Sequence, residues 1–270
     1  MVRGADGVPS GIFSRFGDLA PAGRSHPVAA AVLHVTVSFQ GELQDHLEQA
    51  PPDGVVTLEL ELPAGLRDVV QSLRVPHPEC GVVTVNGDVR PWDSKAADGD
   101  EITVSARYPL AAPPRGRRFL LDDHLGKLSR HLRLLGLDTE HYVGVDDAEL
   151  ARRSVADGRI LLTRDRGLLM RASLREGRFI RSIEPTQQAI EILRSFALAT
   201  EVAPFTRCLE CNEVLVTATL DEVADRVPAS AADRYDRFRS CPGCRRVYWE
   251  GTHVDRLRER IRLILEGSGN

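Results

Sequence analysis

Residues 118–136 read RFLLDDHLGKLSRHLRLLG. A short apolar run ends on two adjacent aspartates, Asp122 and Asp123. Leu125, Leu128, Leu132 and Leu135 then recur at the spacing of one helix face, and Gly136 supplies the residue that most readily closes a helix. This is a buried strand (118–121), a turn and an amphipathic helix (124–136). The same unit recurs downstream. DTEHYV (138–143) reads as a strand, DDAELARRSVADG (146–158) as a helix and RILLT (159–163) as a strand. DRGLLMRASLREG (165–177) then reads as a helix, RFIRSI (178–183) as a strand and PTQQAIEILRSFAL (185–198) as a helix. Strictly alternating strands and helices argue for a doubly wound parallel sheet with helices on its faces, over 118–204.

Upstream the pattern differs. HVTVSFQGEL (34–43) and GVVTLELEL (54–62) alternate as half-buried strands do, and Leu66, Val69, Val70 and Leu73 put a helix over 65–75. GVVTVNGDVRPW (81–92) reads as strand, Asn-Gly turn, strand, and 99–110 as a last strand. That order fits a β-grasp, or ubiquitin-like, unit over 34–110. Residues 1–33, rich in Gly, Ala and Pro, read as a flexible leader, and 111–117 as a linker. The final part, 205–270, is organised by Cys208-x-x-Cys211 and Cys241-x-x-Cys244 and closes on a helix.

The chain has 270 residues and a formal net charge of -4, with Lys95 and Lys127 as its only lysines. The average hides an asymmetry. Residues 35–110 carry 13 acidic and 5 basic side chains, a net of -8, whereas 115–181 carry 15 basic and 10 acidic, a net of +5. The middle part is therefore the candidate for an anionic ligand. No apolar run is long enough for a membrane span and no secretory signal is evident, so the expectation is a cytoplasmic protein without membrane contact. In that compartment two C-x-x-C pairs point to a metal site, not to disulfides. Cys80 stands alone, and its default is a buried structural thiol.

In an open parallel sheet, ligands bind beyond the carboxyl ends of the strands. Three acidic clusters fall there: Asp122 with Asp123, Asp146 with Asp147 and Glu149, and Asp165. Two readings stay open. Aspartate is a favoured helix N-cap, and Asp146 with Glu149 spells a capping box. Alternatively, the clusters converge into one carboxylate pocket, which is stable only around a cation, with oxygen chemistry suited to Mg²⁺ or Mn²⁺. Lys127, Arg130 and Arg164 are the basic groups placed to anchor phosphates, with Arg133 and Arg166 beside them and His124 and His131 as supporting or surface groups, not ligands. The paired cysteines suit a closed structural Zn²⁺. Arg245, Arg246, Tyr248 and Trp249 either present planar groups to a ligand or, for the two aromatics, fill the core around the cysteines; His253 packs nearby and is not needed as a ligand.

The stretches FLLDDHLGKLSRHLRLLGLDTEHY, DDAELARRSVADGRILLTRDRGLL and FTRCLECNEVL with SCPGCRRVYWEGTH resemble the Mut-seven C-terminal RNase domain family. VPHPECGVVTVNGD and DGDEITV resemble the ubiquitin-like module that precedes it. The resemblance implies a PIN-like nuclease fold with a zinc ribbon, and metal-dependent cleavage of single-stranded RNA. Residue by residue it carries the family's acids onto Asp122, Asp147 with Glu149 beside it, and Asp165, with Asp123 assisting. Only Glu184 stands where a fourth acid would fall. The alternative is a non-catalytic RNA-binding protein that uses the basic face and the ribbon. A protein-interaction adaptor, with a partner on the β-grasp unit, is a third possibility. Sulfur carriage, another use of the β-grasp, is disfavoured because the unit runs on into SARYPLAAPP in place of a terminal Gly-Gly.

Overall fold

Alternation of Val35, Val37 and Phe39 along the first strand buries one face, and that face receives the helix bearing Leu66, Val69 and Val70. The computed structural model describes residues 32–47, 53–60, 63–110, 117–251 and 253–269. The leader up to residue 31 and the linker up to residue 116 lie outside them. Strands β1 (Leu33–Phe39), β2 (Val55–Leu60), β3 (Cys80–Val85), β4 (Asp88–Val89) and β5 (Glu101–Ala106) form a sheet in the order β2-β1-β5-β3-β4. The β1/β5 pair is parallel and the others antiparallel, with helix α1 (Leu66–Ser72) on the inner face. This is the β-grasp arrangement. The first strand is shorter than its sequence suggests. Gly41 takes a left-handed conformation, and Gly41–His46 coils into a 3-10 turn that buries Leu43 and His46.

The second sheet contains β6 (Arg118–Leu121), β7 (Asp138–His141), β8 (Ile160–Thr163) and β9 (Gly177–Phe179), all parallel, in the order β7-β6-β8-β9. Helices α2 (Gly126–Leu134) and α5 (Pro185–Ser195) cover the face of Phe119, Leu121, Ile160 and Leu162. Helices α3 (Asp147–Ala156) and α4 (Arg166–Leu169) cover the face of Leu120 and Leu161. Helix α2 ends where Gly136 adopts φ +83, and a Cβ there would lie 2.1 Å from the Ala203 carbonyl oxygen. The helix expected over 165–177 is a single turn. Leu168, Leu169 and Leu174 are all buried in one cluster. A continuing helix would rotate Leu174 about 240° from Leu168, away from that cluster.

The last sheet is antiparallel, β10 (Val216–Ala218), β11 (Phe238–Ser240) and β12 (Val247–Trp249), with the short helices α6 (Leu220–Val223) and α7 (Ala229–Ala232) between its first two strands. Helix α8 (Val254–Gly267) returns to the second sheet's core, where Ile261 and Ile264 join the α2–α5 cluster. None of the helices among the described residues is long and apolar enough to cross a membrane.

Both edges of the parallel sheet are capped by side chains from elsewhere in the chain. At the β7 edge, the Thr139 N–H donates to Asn212 Oδ1 at 2.9 Å. At the β9 edge, the Phe179 N–H donates to Glu79 Oε1 at 2.8 Å. One backbone N–H on each edge is thereby satisfied without a further strand. Around Glu79 the contact widens into a buried ionic cluster. Its carboxylate also meets His46 Nε2 at 2.5 Å and Arg181 Nη2 at 3.1 Å, while Arg178 reaches Glu79 and forms a bidentate pair with Glu42. Burial pushes Glu79 up, but the His46 bond and the charges of Arg178 and Arg181 outweigh it and bring its pKa down to about 2.

Candidate functional site

The chain runs from β6 through α2 to β7 on one side, then through α3 to β8 on the other side of β6. The point between β6 and β8 is the topological switch, the usual ligand crevice of such a sheet. Asp122 follows β6 and Asp165 follows β8, so the fold brings both to that crevice. Asp122 is 6% exposed. Its Oδ1 accepts the His124 N–H at 3.1 Å, and its Oδ2 accepts the Thr163 hydroxyl. Thr163 Oγ1 in turn accepts the Asp165 N–H at 2.9 Å. Asp165 Oδ1 accepts from Gly167 N at 2.6 Å and Leu168 N at 3.3 Å. One threonine thus ties the two aspartates together, a role the sequence reading did not give Thr163.

The remaining acids go elsewhere. Asp146 caps α3 by accepting the Glu149 N–H at 2.9 Å, and Glu184 caps α5 by accepting the Gln187 N–H at 2.9 Å. Glu149 does not face a shared pocket. Arg152 and Arg153 grip its carboxylate at 2.6–2.7 Å and hold its pKa down to about 2. Asp147 is half-exposed and lies 4.0 Å from Arg171, and Asp123 is exposed. Among the described residues, the four cysteines are the only group of three or more acid, thiol or imidazole side chains gathered tightly enough for one ion. The expected convergence of Asp122, Asp147 and Asp165 on one cation is therefore not formed. Each carboxylate is instead satisfied locally, and like charges lose nothing by staying apart.

A cleft of about 660 Å³ opens beside the carboxyl edge of the sheet, lined by His124, Lys127, Arg130, His141, Ile183 and Glu210 among others. Lys127 and Arg130 therefore share one cleft. Arg130 is paired with Glu210 at 2.6 Å on the surface, a contact weak enough for a phosphate to displace. Arg164 is not in this cleft's lining; its Nη1 donates to the Ser182 carbonyl at 2.6 Å. Arg166 donates to the His46 and Asp45 carbonyls, on the first sheet's side of the interface. Arg133 is buried and structural. It donates to the carbonyls of Thr139, Leu209 and Glu210, pinning the first C-x-x-C loop to α2 and β7. His131 is buried in contact with Arg260, and Cys80 is a buried thiol that burial pushes up to about 12.

The Sγ atoms of Cys208, Cys211, Cys241 and Cys244 all lie within 4.8 Å of one another. The two loops repeat one backbone design. Asn212 and Arg245, each just after the second cysteine, adopt positive φ, and their N–H groups donate to the carbonyls of Cys208 and Cys241 at 3.1 and 2.9 Å. The nearest sulfurs are 3.2 and 3.5 Å apart, close to the roughly 3.8 Å that a tetrahedral Zn²⁺ imposes, so this set could hold zinc. Tyr248 is bonded to Cys208 Sγ and Leu209 N, Trp249 is half-buried, and His253 is exposed and outside the cluster. Arg245 and Arg246 are exposed.

A β-grasp sheet bound to a parallel sheet with aspartates at its switch point, followed by a four-cysteine ribbon, defines a class of fused three-part proteins. The chain belongs to the Mut7-C RNAse domain family, whose model matches residues 117–261; a second model, Mut7-C ubiquitin, matches residues 32–113. A human protein named exonuclease mut-7 homolog is 35% identical over 120 residues, 41% of this chain. The match spans only 13% of that protein's length. A solved structure of a molybdopterin converting factor subunit 1 from Pyrococcus furiosus, described as putative, is 20% identical over 27% of this chain and 97% of that one, with a TM-score of 0.23.

Proposed function

We propose that the chain hydrolyses phosphodiester bonds of single-stranded RNA at the switch point between β6 and β8, in a PIN-like domain over 118–204. The observation that carries this reading is the Asp122–Thr163–Asp165 linkage at the crevice of a sheet whose family is an RNAse family. Asp122 and Asp165 would hold Mg²⁺ or Mn²⁺, which would neutralise phosphate charge and activate water. Their oxygen donors suit such an ion, although Asp147 and Glu149 do not complete a set with them. Thr163 keeps the Asp122 carboxylate aimed at the crevice. Lys127 and Arg130 bind the phosphates of the incoming strand from the adjoining cleft. Asp123, exposed beside Asp122, is the acid best placed to assist. Asp147 and Arg164 join only if substrate draws them in.

The capping bonds favour a second reading, in which the aspartates are purely structural and the chain binds RNA without cutting it. The Asp122→Asn/Asp165→Asn double variant separates the two. Asparagine also caps helices, so the fold is retained. Wild type incubated with labelled single-stranded RNA and Mn²⁺ should cleave it, chelator should stop the reaction, and the variant should be inactive. Equal binding by both proteins with no cleavage in either would hand the function to the second reading.

A further inference from the structure

A second cleft, about 830 Å³, lies between the β10–β12 sheet and the start of α8. The chain has only 14 aromatic Phe, Tyr and Trp residues, yet Phe205, Tyr235, Phe238, Tyr248 and Trp249 all line this one cleft. Phe238 is buried in the ribbon core and Tyr248 packs on the cysteines, whereas Tyr235 and Trp249, packed against that core, and Phe205, packed against the α2–α5 core, are only partly buried. Phe205 is bulky, yet it holds φ +59, a conformation that bulky residues avoid. Its backbone is fixed there from both ends, by its own N–H to the Leu134 carbonyl at 3.1 Å and by Arg239 Nη1 to its carbonyl at 3.0 Å. Tyr235 and Trp249 are half-buried. Among the described residues, neither Tyr235 Oη nor Trp249 Nε1 has a hydrogen-bond partner.

The rim is cationic. Five arginines line the cleft against two acids, Asp236 and Glu250. Arg207 and Arg258 are committed to carboxylates, but Arg234 and Arg237 are exposed and, among the described residues, have no side-chain partner. Leu209, in the first cysteine loop, lines both this cleft and the basic cleft beside α2, so the two adjoin. We propose that the ribbon cleft is a binding site for unpaired bases of single-stranded RNA, with Tyr235, Trp249 and Phe205 as stacking surfaces and Arg234 and Arg237 on the phosphates. Partly exposed aromatic rings and unpaired guanidiniums lining one cleft suit unpaired bases joined by phosphates. The proposal rests on the RNA reading above and adds a holding site away from the aspartates. A strand gripped there would run past Leu209 into the basic cleft.

The chain has two tryptophans, so Trp92→Phe leaves Trp249 as the sole reporter. That substitution is placed in the full-length, zinc-loaded protein with Asp122→Asn, so that the probe survives. Titration with an oligouridine of about ten nucleotides should quench Trp249 fluorescence saturably. Tyr235→Leu should weaken the apparent affinity about tenfold. Arg234→Ala/Arg237→Ala should weaken it too, and should lower the slope of log affinity against log salt by about 1.4. The arginines are exposed, so the double variant tests the site even where Tyr235→Leu disturbs the ribbon. Absence of quenching, or quenching that both variants leave unchanged, overturns the proposal. So does equal quenching by oligoglutamate or by duplex RNA, which would mark a general anion patch. Oligodeoxythymidine quenching at equal affinity would move the site from RNA to single-stranded DNA and overturn it as stated. Quenching in a protein whose wild type never cleaves RNA would leave the cleft standing while the nuclease reading falls; cleavage without quenching would do the reverse.

Discussion

Glu79→Gln tests how the acidic and basic parts of the chain are joined. The carboxylate is 1% exposed and accepts from His46, Arg178, Arg181 and the Phe179 N–H. Its pKa falls from the ordinary 4.5 to about 2 in the folded chain. At about 1.4 kcal/mol per pH unit, ionised Glu79 contributes roughly 3 kcal/mol to folding. An independent figure agrees, since removing one partner of a buried ion pair costs about 3–5 kcal/mol. The variant should lose about 3 kcal/mol at pH 7, and its melting temperature should fall by about 6–12 °C for a unit of this size. A group with a depressed folded pKa stabilises fully above its unfolded value. Its contribution then disappears as pH falls toward the folded value. The wild-type urea midpoint should therefore drop steeply between about pH 5 and pH 2, and the variant should be flatter across that window. Asp45→Asn is the control, because Asp45 binds the same Arg181 at 2.9 Å but is 58% exposed, and it should cost under about 1 kcal/mol. A Glu79→Gln protein within about 1 kcal/mol of wild type, or with an unchanged acid limb, would refute the assignment of stability to this cluster.

Three further outcomes follow from other parts of the structure. Cys241→Ser should abolish bound zinc by elemental analysis and loosen β10–β12, and retention of zinc would remove Cys241 from the ligand set. Arg133→Met deletes the guanidinium bonded to three backbone carbonyls and should cost about 2–3 kcal/mol, with faster amide exchange at Thr139 and Asn212; unchanged exchange there would mean the loop is held by other contacts. Glu42→Gln/Asp45→Asn removes two carboxylates that face Arg178 and Arg181, so the variant should bind RNA more tightly at low salt, and unaltered affinity would count against screening of those arginines by the acidic module.

The parts of this structure legible in the sequence are the local ones. Leu125, Leu128, Leu132 and Leu135 announce the buried face of α2 because helical spacing is a property of neighbouring residues. The cysteine spacings announce the ribbon for the same reason. Placement of Asp122 and Asp165 at one crevice was legible as well, because strand-end position follows from the alternation of strands and helices. Their rotamers were not, since a carboxylate at a helix start chooses between its own backbone N–H groups and a shared ion at comparable free energy. Glu149 carried a readable warning. Arg152 and Arg153 stand three and four residues on, the spacing that closes an ion pair on a helix. Nothing comparable marked Arg178, whose partner Glu42 is 136 residues away, or the shortening of α4, where burial of Leu174 overrides local helix preference.

The long-range contacts change what the three parts mean to one another. A four-stranded parallel sheet has two edges, and here neither is finished by the sheet's own residues. Asn212 of the ribbon meets β7 and Glu79, in the turn just before β3 of the β-grasp unit, meets β9, each by accepting a backbone N–H. Residues 32–270 accordingly form one compact unit. The opposite charges of residues 35–110 and 115–181 are then an assembly feature, since Glu42, Asp45 and Glu79 are spent on Arg178 and Arg181 within the same chain. Lys127, Arg130, Arg234 and Arg237 lie in clefts that the acidic sheet does not line. The two clefts share Leu209, so the cations of the ribbon adjoin those beside α2 with no residue of the acidic module in either lining.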